Sequence, residues 1–476
     1  MEEREMTEEK KQDKRELSIY PLSELGGGVF KAYFTTYISM LMTSVYQFPV
    51  VVAGILETIQ SAIQWFGSPI MGTVYDRFSF KKGKFWPWFL IAGAGTGILY
   101  IIVFGMPVIF EDPSKLVIPA AIFIALAAFM SSALSTLGLT IYMYVAKTEK
   151  TRSFLAMVVK ICRDGMKIVV GWVFPVMLTY FITFMPEMNA WAMIAVILAA
   201  VAIVIFVIAS VLTKNSEIER EAQTKTLQRK KKTPILKTFK GILTNRALLV
   251  TFLAMTCSKV FFFFHITGAA YFWRYYMNNF EMLSIFNVAF SLAAIIGAAL
   301  MPTILKIFKD TKRSYVFTMF VQAGLYAVSL LIVSPENTVG TIAILSAASF
   351  FNGISDGFIL PLFGQATDYN VWKTGNKDYG LTMSTYSISI RAGNVASITI
   401  RTSLLAAAGF NSKALAGGAA VPAAVQSVLY NLNTLFPLIL ALVIALLVLF
   451  LNPINDKKAE QYRKEIKERD MQEAAS

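Results

Sequence analysis

Four ionisable residues, Lys160, Arg163, Asp164 and Lys167, lie inside one largely apolar stretch at i, i+3, i+4 and i+7. That spacing sets them on one face of a helix. Other apolar stretches are interrupted by Lys31, Glu57, Lys259, His265, Arg274, Asp356, Arg391 and Arg401. A charge at bilayer depth costs about 3 kcal/mol even on a lenient insertion scale, so each needs a partner or a task. A cationic stripe can hold a carboxylate or sulfonate through charge-assisted hydrogen bonds. The alternative is a salt-bridge network that neutralises itself, with Asp164 taking one of the cations. Glu57, Asp164 and Asp356 are candidate proton carriers. Arg274 and Arg401 fall near predicted outer helix ends, where they are expected to snorkel. His265, the only histidine, reads equally as a packed ring or a proton carrier. Lys31, Lys160, Arg163 and Arg391 lie too deep to reach water easily.

The elements that hold these residues are membrane spans. Of 476 residues, 56% are hydrophobic and only 16% charged, where a soluble domain carries about 25% charge. The mean hydropathy is +0.57. Apolar runs long enough to cross a bilayer of ~30 Å predict spans near 20–46, 48–74, 85–109, 117–146, 154–184 and 190–213, then 247–277, 282–308, 314–334, 341–366, 380–409 and 425–451. Basic clusters occupy alternate connections: Arg77, Lys81, Lys82 and Lys84; Lys147, Lys150 and Arg152; Lys309, Lys312 and Arg313; Lys373 and Lys377. They also mark both tails and the linker around Arg229–Lys232, whereas intervening loops carry little beyond Lys115 and Lys413. The alternation predicts an even number of spans with both termini cytoplasmic. The net charge of +14 then reads as topology signal in a lipid bilayer, with no nucleic-acid partner. Met1–Glu16 has no apolar signal core or cleavage site, so the first span is expected to act as its own insertion signal. Cys162 and Cys257 both lie in apolar runs, which argues against a disulfide framework.

The expected organisation is a polar tail (1–19), a six-helix half (20–213), a basic linker (214–246), a second six-helix half (247–451) and a cytoplasmic tail (452–476). Such a plan places a solute path between two halves. Gly72–Lys84 and Gly297–Arg313 echo one another, each running from a helix end through an aspartate into a basic loop.

Gly72-Thr-Val-Tyr-Asp76-Arg77 followed by Lys81-Lys82-Gly83-Lys84 pairs a glycine that permits close helix approach with an aspartate that can meet a helix N-terminus. It resembles the loop signature of the major facilitator superfamily. Asp368-Tyr-Asn-Val-Trp372-Lys373-Thr374-Gly375-Asn-Lys377, Gly67-Ser-Pro69-Ile-Met-Gly72 and Gly83-Lys84-Phe85-Trp86-Pro87-Trp88 resemble the glycoside–pentoside–hexuronide:cation symporters, the melibiose-permease-like branch. A weaker likeness extends over nearly the whole chain. The resemblance implies an all-α membrane protein of about twelve helices with the major facilitator fold, and transport by alternating access. It also implies a gate on the cytoplasmic side at Gly72, Asp76, Arg77, Asp368, Trp372 and Lys373.

Departures from the family pattern are informative. The span-two carboxylates of sodium-coupled members correspond to Gln64 and Ser68, the span-one acid to Ala32 after Lys31, and the span-four acid to Gly138, with Tyr142 as the nearby sugar-stacking aromatic. Lys160 stands where the family has arginine, and Arg391 where it has lysine. Sodium prefers several oxygen ligands including carboxylates; Gln64 and Ser68 offer neutral oxygens only. The expectation is therefore coupling to protons through Glu57, Asp164 or Asp356. The solute is expected to be a small anionic glycoside or uronide held by Lys31, Tyr142, Lys160, Arg163 and Arg391. The chain is expected to act as a monomer without a cofactor. A uniporter or exchanger for a non-sugar organic anion is the nearest alternative, and a membrane sensor the alternative from another class. One histidine and no phosphate-binding loop argue against an enzyme or an ATP-driven pump.

Overall fold

The computed structural model describes residues 14–77, 80, 83–109, 113–145, 149–214, 216–217, 219–220, 245–374, 379–416 and 418–475. Six long helices form the first part of the chain: α1 (Lys14–Met40), α2 (Val50–Arg77), α3 (Trp86–Ile109), α4 (Pro113–Val145), α5 (Glu149–Phe181) and α6 (Glu187–Lys214). Six more follow: α7 (Arg246–Thr267), α8 (Met282–Phe308), α9 (Thr311–Ile332), α10 (Thr338–Thr374), α11 (Tyr379–Ala407) and α12, in two pieces (Ala423–Asn433 and Leu435–Leu451). A polar helix, α13 (Asp456–Ala475), comes last. Among the described residues there is no strand, only an isolated bridge between Phe80 and Gly83.

Nine of the described helices are long and apolar enough to cross a membrane. The three long ones that fall short, α1, α5 and α11, are those carrying Lys31, the α5 charge stripe, Arg391 and Arg401. Composition thus misses the helices where polar groups are concentrated, and length identifies them. The predicted span 425–451 is interrupted at Thr434 (φ −127°, ψ −73°), because Pro437 in the following turn has no N–H to continue the ladder.

The chain divides into two compact units: Met1–Arg229 with Phe410–Ala420, and Lys230–Gly409 with Val421–Ser476. Inside each, helices pair in the same order. In the first unit α1 packs on α5, α2 on α4 and α3 on α6; in the second α7 packs on α11, α8 on α10 and α9 on α12. The first helix of each unit also ends alike. After α1 the chain makes a π turn (Leu41–Val45) and reaches Gln47 at φ 55°. After α7 it makes a π turn (Phe272–Tyr276) and reaches Asn278 at φ 49°. This shared irregularity is a second sign of internal duplication, since a π turn costs hydrogen-bond geometry and is seldom retained without a role.

Two contacts explain the tightest pairings. A Cβ at Gly297 on α8 would run into the Phe350 carbonyl of α10, and one at Gly353 into the Ala294 carbonyl of α8, so both glycines are needed for the backbones to touch. On α1, Tyr37 stacks on Phe174 of α5 (centroids 3.8 Å), and Tyr33 packs at a tilt on Phe174 (5.4 Å) and stacks on Phe104 of α3 (4.2 Å). That aromatic face fixes α1, and therefore the opposite face bearing Lys31.

Candidate functional site

In the first unit, small residues bring α1 and α5 together. A Cβ at Gly28 would lie 3.0 Å from the Met166 Cβ and 3.5 Å from the Arg163 Cα. Arg163 and Lys167 on α5 are half-buried, whereas Lys31 on α1 is exposed, although it sits mid-helix. Lys31 lines a cavity of about 20 Å³ of water-accessible space together with Ser23, Glu24, Gly27 and Phe30 of α1 and Ser131, Leu134 and Ser135 of α4. That volume suffices for a water molecule among polar partners. The side chains of Tyr142, Lys160 and Asp164 lie outside the described residues.

Glu24 has no counterpart among the residues singled out from the sequence. It stands two turns before Lys31 on the same face, a signal readable from spacing alone. Gln64 and Ser68 on α2 are half-buried. The Ser68 hydroxyl donates to its own helix at the Gln64 carbonyl (3.2 Å), and Thr136 of α4 donates to the Ser68 carbonyl (3.4 Å). Glu57, also on α2, is 4% exposed.

In the second unit Lys259 on α7 meets Asp356 on α10 in a two-pronged ion pair, 2.6 and 2.8 Å to the two carboxylate oxygens. Its ammonium also lies 4.8 Å from the centre of the Phe262 ring. A Cβ on Gly393 of α11 would contact the Lys259 Cβ at 2.5 Å, so α11 closes over the pair's stem. Asp356 is therefore neutralised in place. Arg391, half a turn from Gly393, is half-buried, and no hydrogen bond or ion pair to it occurs among the described residues.

The snorkelling expected of Arg401 does not occur. The side chain is 1% exposed, donates to the Thr267 hydroxyl at the end of α7 and lies 5.7 Å from the Tyr271 ring centre. It braces the α7 break, because that break supplies polar acceptors below the helix end. Arg274 is half-buried beside Tyr275 in the π turn. His265 is a packed ring: Nδ1 lies 2.9 Å from the Phe261 carbonyl, with Phe290 stacked at 5.4 Å and Tyr326 tilted against it at 5.6 Å.

The predicted gate motifs meet partners that sequence reasoning missed. Gly72 is half-buried near the end of α2; the side chains of Asp76 and Arg77 lie outside the described residues. The N-terminus of α3 is capped by Glu219, whose carboxylate accepts from the backbone N–H groups of Lys84, Phe85 (3.0 Å) and Trp86 (3.3 Å). An anion at a helix start is the favoured arrangement. Burial pushes the Glu219 carboxyl up, and these donors pull it partly back. Gly83 is required there, since a Cβ would collide with the Trp86 ring.

The second motif lies on the far end of α10, whose 37 residues span ~55 Å and so overhang a ~30 Å bilayer core. Helix α13 docks on this overhang. Arg463 pairs with Asp368 (2.6 Å), the Trp372 indole N–H donates to Glu465, and the Tyr462 ring packs at a tilt against Trp372 (4.6 Å) and Tyr369 (5.7 Å). Asp456, at the start of α13, accepts from the Thr311 N–H (3.0 Å) and the Gln365 amide (2.6 Å). Lys373 is exposed.

A model of the MFS/sugar transport protein family matches residues 19–456. The isoprimeverose transporter of Lactiplantibacillus pentosus is 24% identical over 79% of this chain and 76% of its own length. The symporter YjmB of Bacillus subtilis (strain 168) is 22% identical over 80% of each chain. Among solved structures, the nucleoside transporter NupG superposes with a TM-score of 0.63 at 14% identity, covering 91% of this chain and 99% of that one. At that identity the likeness speaks for the fold alone. Family and neighbours are membrane transporters, not enzymes.

Proposed function

The chain belongs to the MFS/sugar transport protein family and is a multi-pass secondary solute transporter, and on that premise we propose that it moves an anionic glycoside or uronide together with protons. The observation that carries this reading is the charge balance of the two units. At Gln64, Ser68 and Gly138, where the family resemblance implies carboxylates, the residues are neutral. Ser68 is bonded to its own helix. The cations at Lys31, Arg163 and Arg391 persist, each with some exposure. Arginine grips a carboxylate through two parallel hydrogen bonds, and lysine adds a mobile point charge. Neutral oxygens at Gln64 and Ser68 make a poor sodium cage. Alternating access of two six-helix halves in the inner membrane, with both termini cytoplasmic and the protein acting as a monomer, completes the reading.

A neutral glycoside is the second reading, favoured by the name of the isoprimeverose transporter relative. The test is uptake into sealed vesicles of an aryl β-glucuronide, the matching β-glucoside and isoprimeverose, with and without sodium. Uptake of the glucuronide, independent of sodium, is expected. Preference for either neutral glycoside, or a sodium requirement, overturns the proposal.

A further inference from the structure

We infer that Glu24 is the coupling carboxylate of the first unit: it takes up the transported proton in the α1–α4 cavity and releases it there. The inference rests on the proton-coupled reading above and assigns its carrier to a residue outside Glu57, Asp164 and Asp356. A proton carrier needs a carboxyl group reachable by water, hydroxyls that can pass or accept the proton, and a neighbouring charge that changes as solute binds. Glu24 has all three. It lines the cavity with Ser23, Ser131 and Ser135, whose hydroxyl oxygens can accept while the protons of Ser23 and Ser135 go to the Tyr20 and Ser131 carbonyls, and with Lys31, the exposed cation on the same wall.

Space has been made for this carboxylate by its neighbour helix. A Cβ at Gly138 on α4 would stand 3.2 Å from Glu24 Oε1, 3.3 Å from the Tyr20 ring and 3.4 Å from the Ser23 hydroxyl. Any larger residue at 138 would push into the acid. Glycine there leaves Glu24 room to change rotamer between Lys31 and the serines, and the α1 backbone one turn on is held by Gly28 against Met166.

The charged and titratable groups around it bear on the same step. Among the described residues these are Tyr20 and Lys31 on its own helix, and Arg163, Lys167 and Cys162 on α5, the last close enough to feel the Glu24 charge. Helix α4 contributes serines, α3 presents the buried Tyr100 behind Phe30 (5.2 Å), and α6 presents Phe206 against Gly26. The described charges on these faces are thus cationic and able to pair with the Glu24 carboxylate. An anionic solute drawn to Lys31 and Arg163 would compete with Glu24 for them, and the carboxylate would then take a proton: –COO⁻ plus H⁺ gives –COOH, with no other bond changed. Solute release restores the cations and expels the proton. Glu57, 4% exposed, lacks such access.

The experiment uses the full chain in proteoliposomes, with whichever aryl glycoside the wild type takes up. An imposed gradient of one pH unit should drive about tenfold accumulation by wild type for one proton per solute, since a proton carries about 1.4 kcal/mol per pH unit. Glu24→Gln should accumulate nothing above equilibrium while still exchanging labelled for unlabelled solute at a measurable rate. Accumulation by Glu24→Gln within twofold of wild type overturns the assignment alone. Wild type that ignores the pH gradient overturns the proton reading and this inference with it. Should Glu24→Gln fail to exchange at all, Glu24→Asp decides: a displaced pH profile of driven uptake supports the carrier, and an unchanged profile refutes it.

Discussion

The Lys259–Asp356 pair can be taken apart one partner at a time, and its two halves are not equally buried. Lys259 is 9% exposed at its side chain and Asp356 35%. Asp356→Asn leaves a nearly buried ammonium facing an amide that offers a single oxygen, and breaking a buried pair this way costs about 3–5 kcal/mol. The Phe262 ring 4.8 Å away offsets up to about 1 kcal/mol, which places the expected loss near 3 kcal/mol. Lys259→Met leaves a carboxylate that is a third exposed and can hydrate or protonate, so about 1–2 kcal/mol is expected. The double variant replaces both charges and should lie within about 1 kcal/mol of wild type, as paired buried charges often can be removed together at little cost. The three values give a coupling of about 3–5 kcal/mol, well above the non-additivity of independent sites. At about 2–4 °C per kcal/mol for a unit of this size, Asp356→Asn should lower the thermal midpoint by about 6–12 °C, measured on detergent-solubilised protein. Additive single variants would refute the pair as a structural element. So would an Asp356→Asn protein of wild-type stability that has lost proton-driven uptake, which would make Asp356 the carrier instead of Glu24.

Further outcomes are expected at the polar ends. Glu219→Ala removes the acceptor shared by three backbone N–H groups and should destabilise the first unit by about 1–2 kcal/mol, with Glu219→Gln milder. Burial raises the Glu219 carboxyl, so its stabilising contribution is full below the ordinary carboxylate pKa and fades as pH rises through the raised value; a Glu219→Gln midpoint that keeps the wild-type slope across that weakly acidic window would contradict this. At α13, Arg463→Ala should cost under about 1 kcal/mol, because the Arg463 side chain of its pair with Asp368 is 62% exposed. Trp372→Ala should release the helix by removing its aromatic seat, seen as faster tryptic cleavage in 456–475 than in wild type; equal cleavage rates would show that α13 docks by other contacts.

How much was legible depended on whether the signal was local. Helix α8 falls on the predicted 282–308 residue for residue, because an apolar run bounded by charge is a local pattern. The helical, major facilitator-like architecture was legible for the same reason, with motif spacing adding the family. Arg401 was misread because depth along a helix was equated with distance from water. The break after Thr267 places a hydroxyl where the guanidinium needs one, and nothing near position 401 announces a break in α7. Lys259 and Asp356 are 97 residues apart, so their pairing was invisible although both were noticed. Glu219 and α13 were read as linker and tail because polar composition was taken to mean solvation, whereas both are polar in order to satisfy helix ends and the α10 overhang. Glu24 differs from these: it lies at i−7 from Lys31 on the same helix face, a local signal. What spacing alone does not announce is the glycine at 138 that faces it from α4, because that approach is set by tertiary packing.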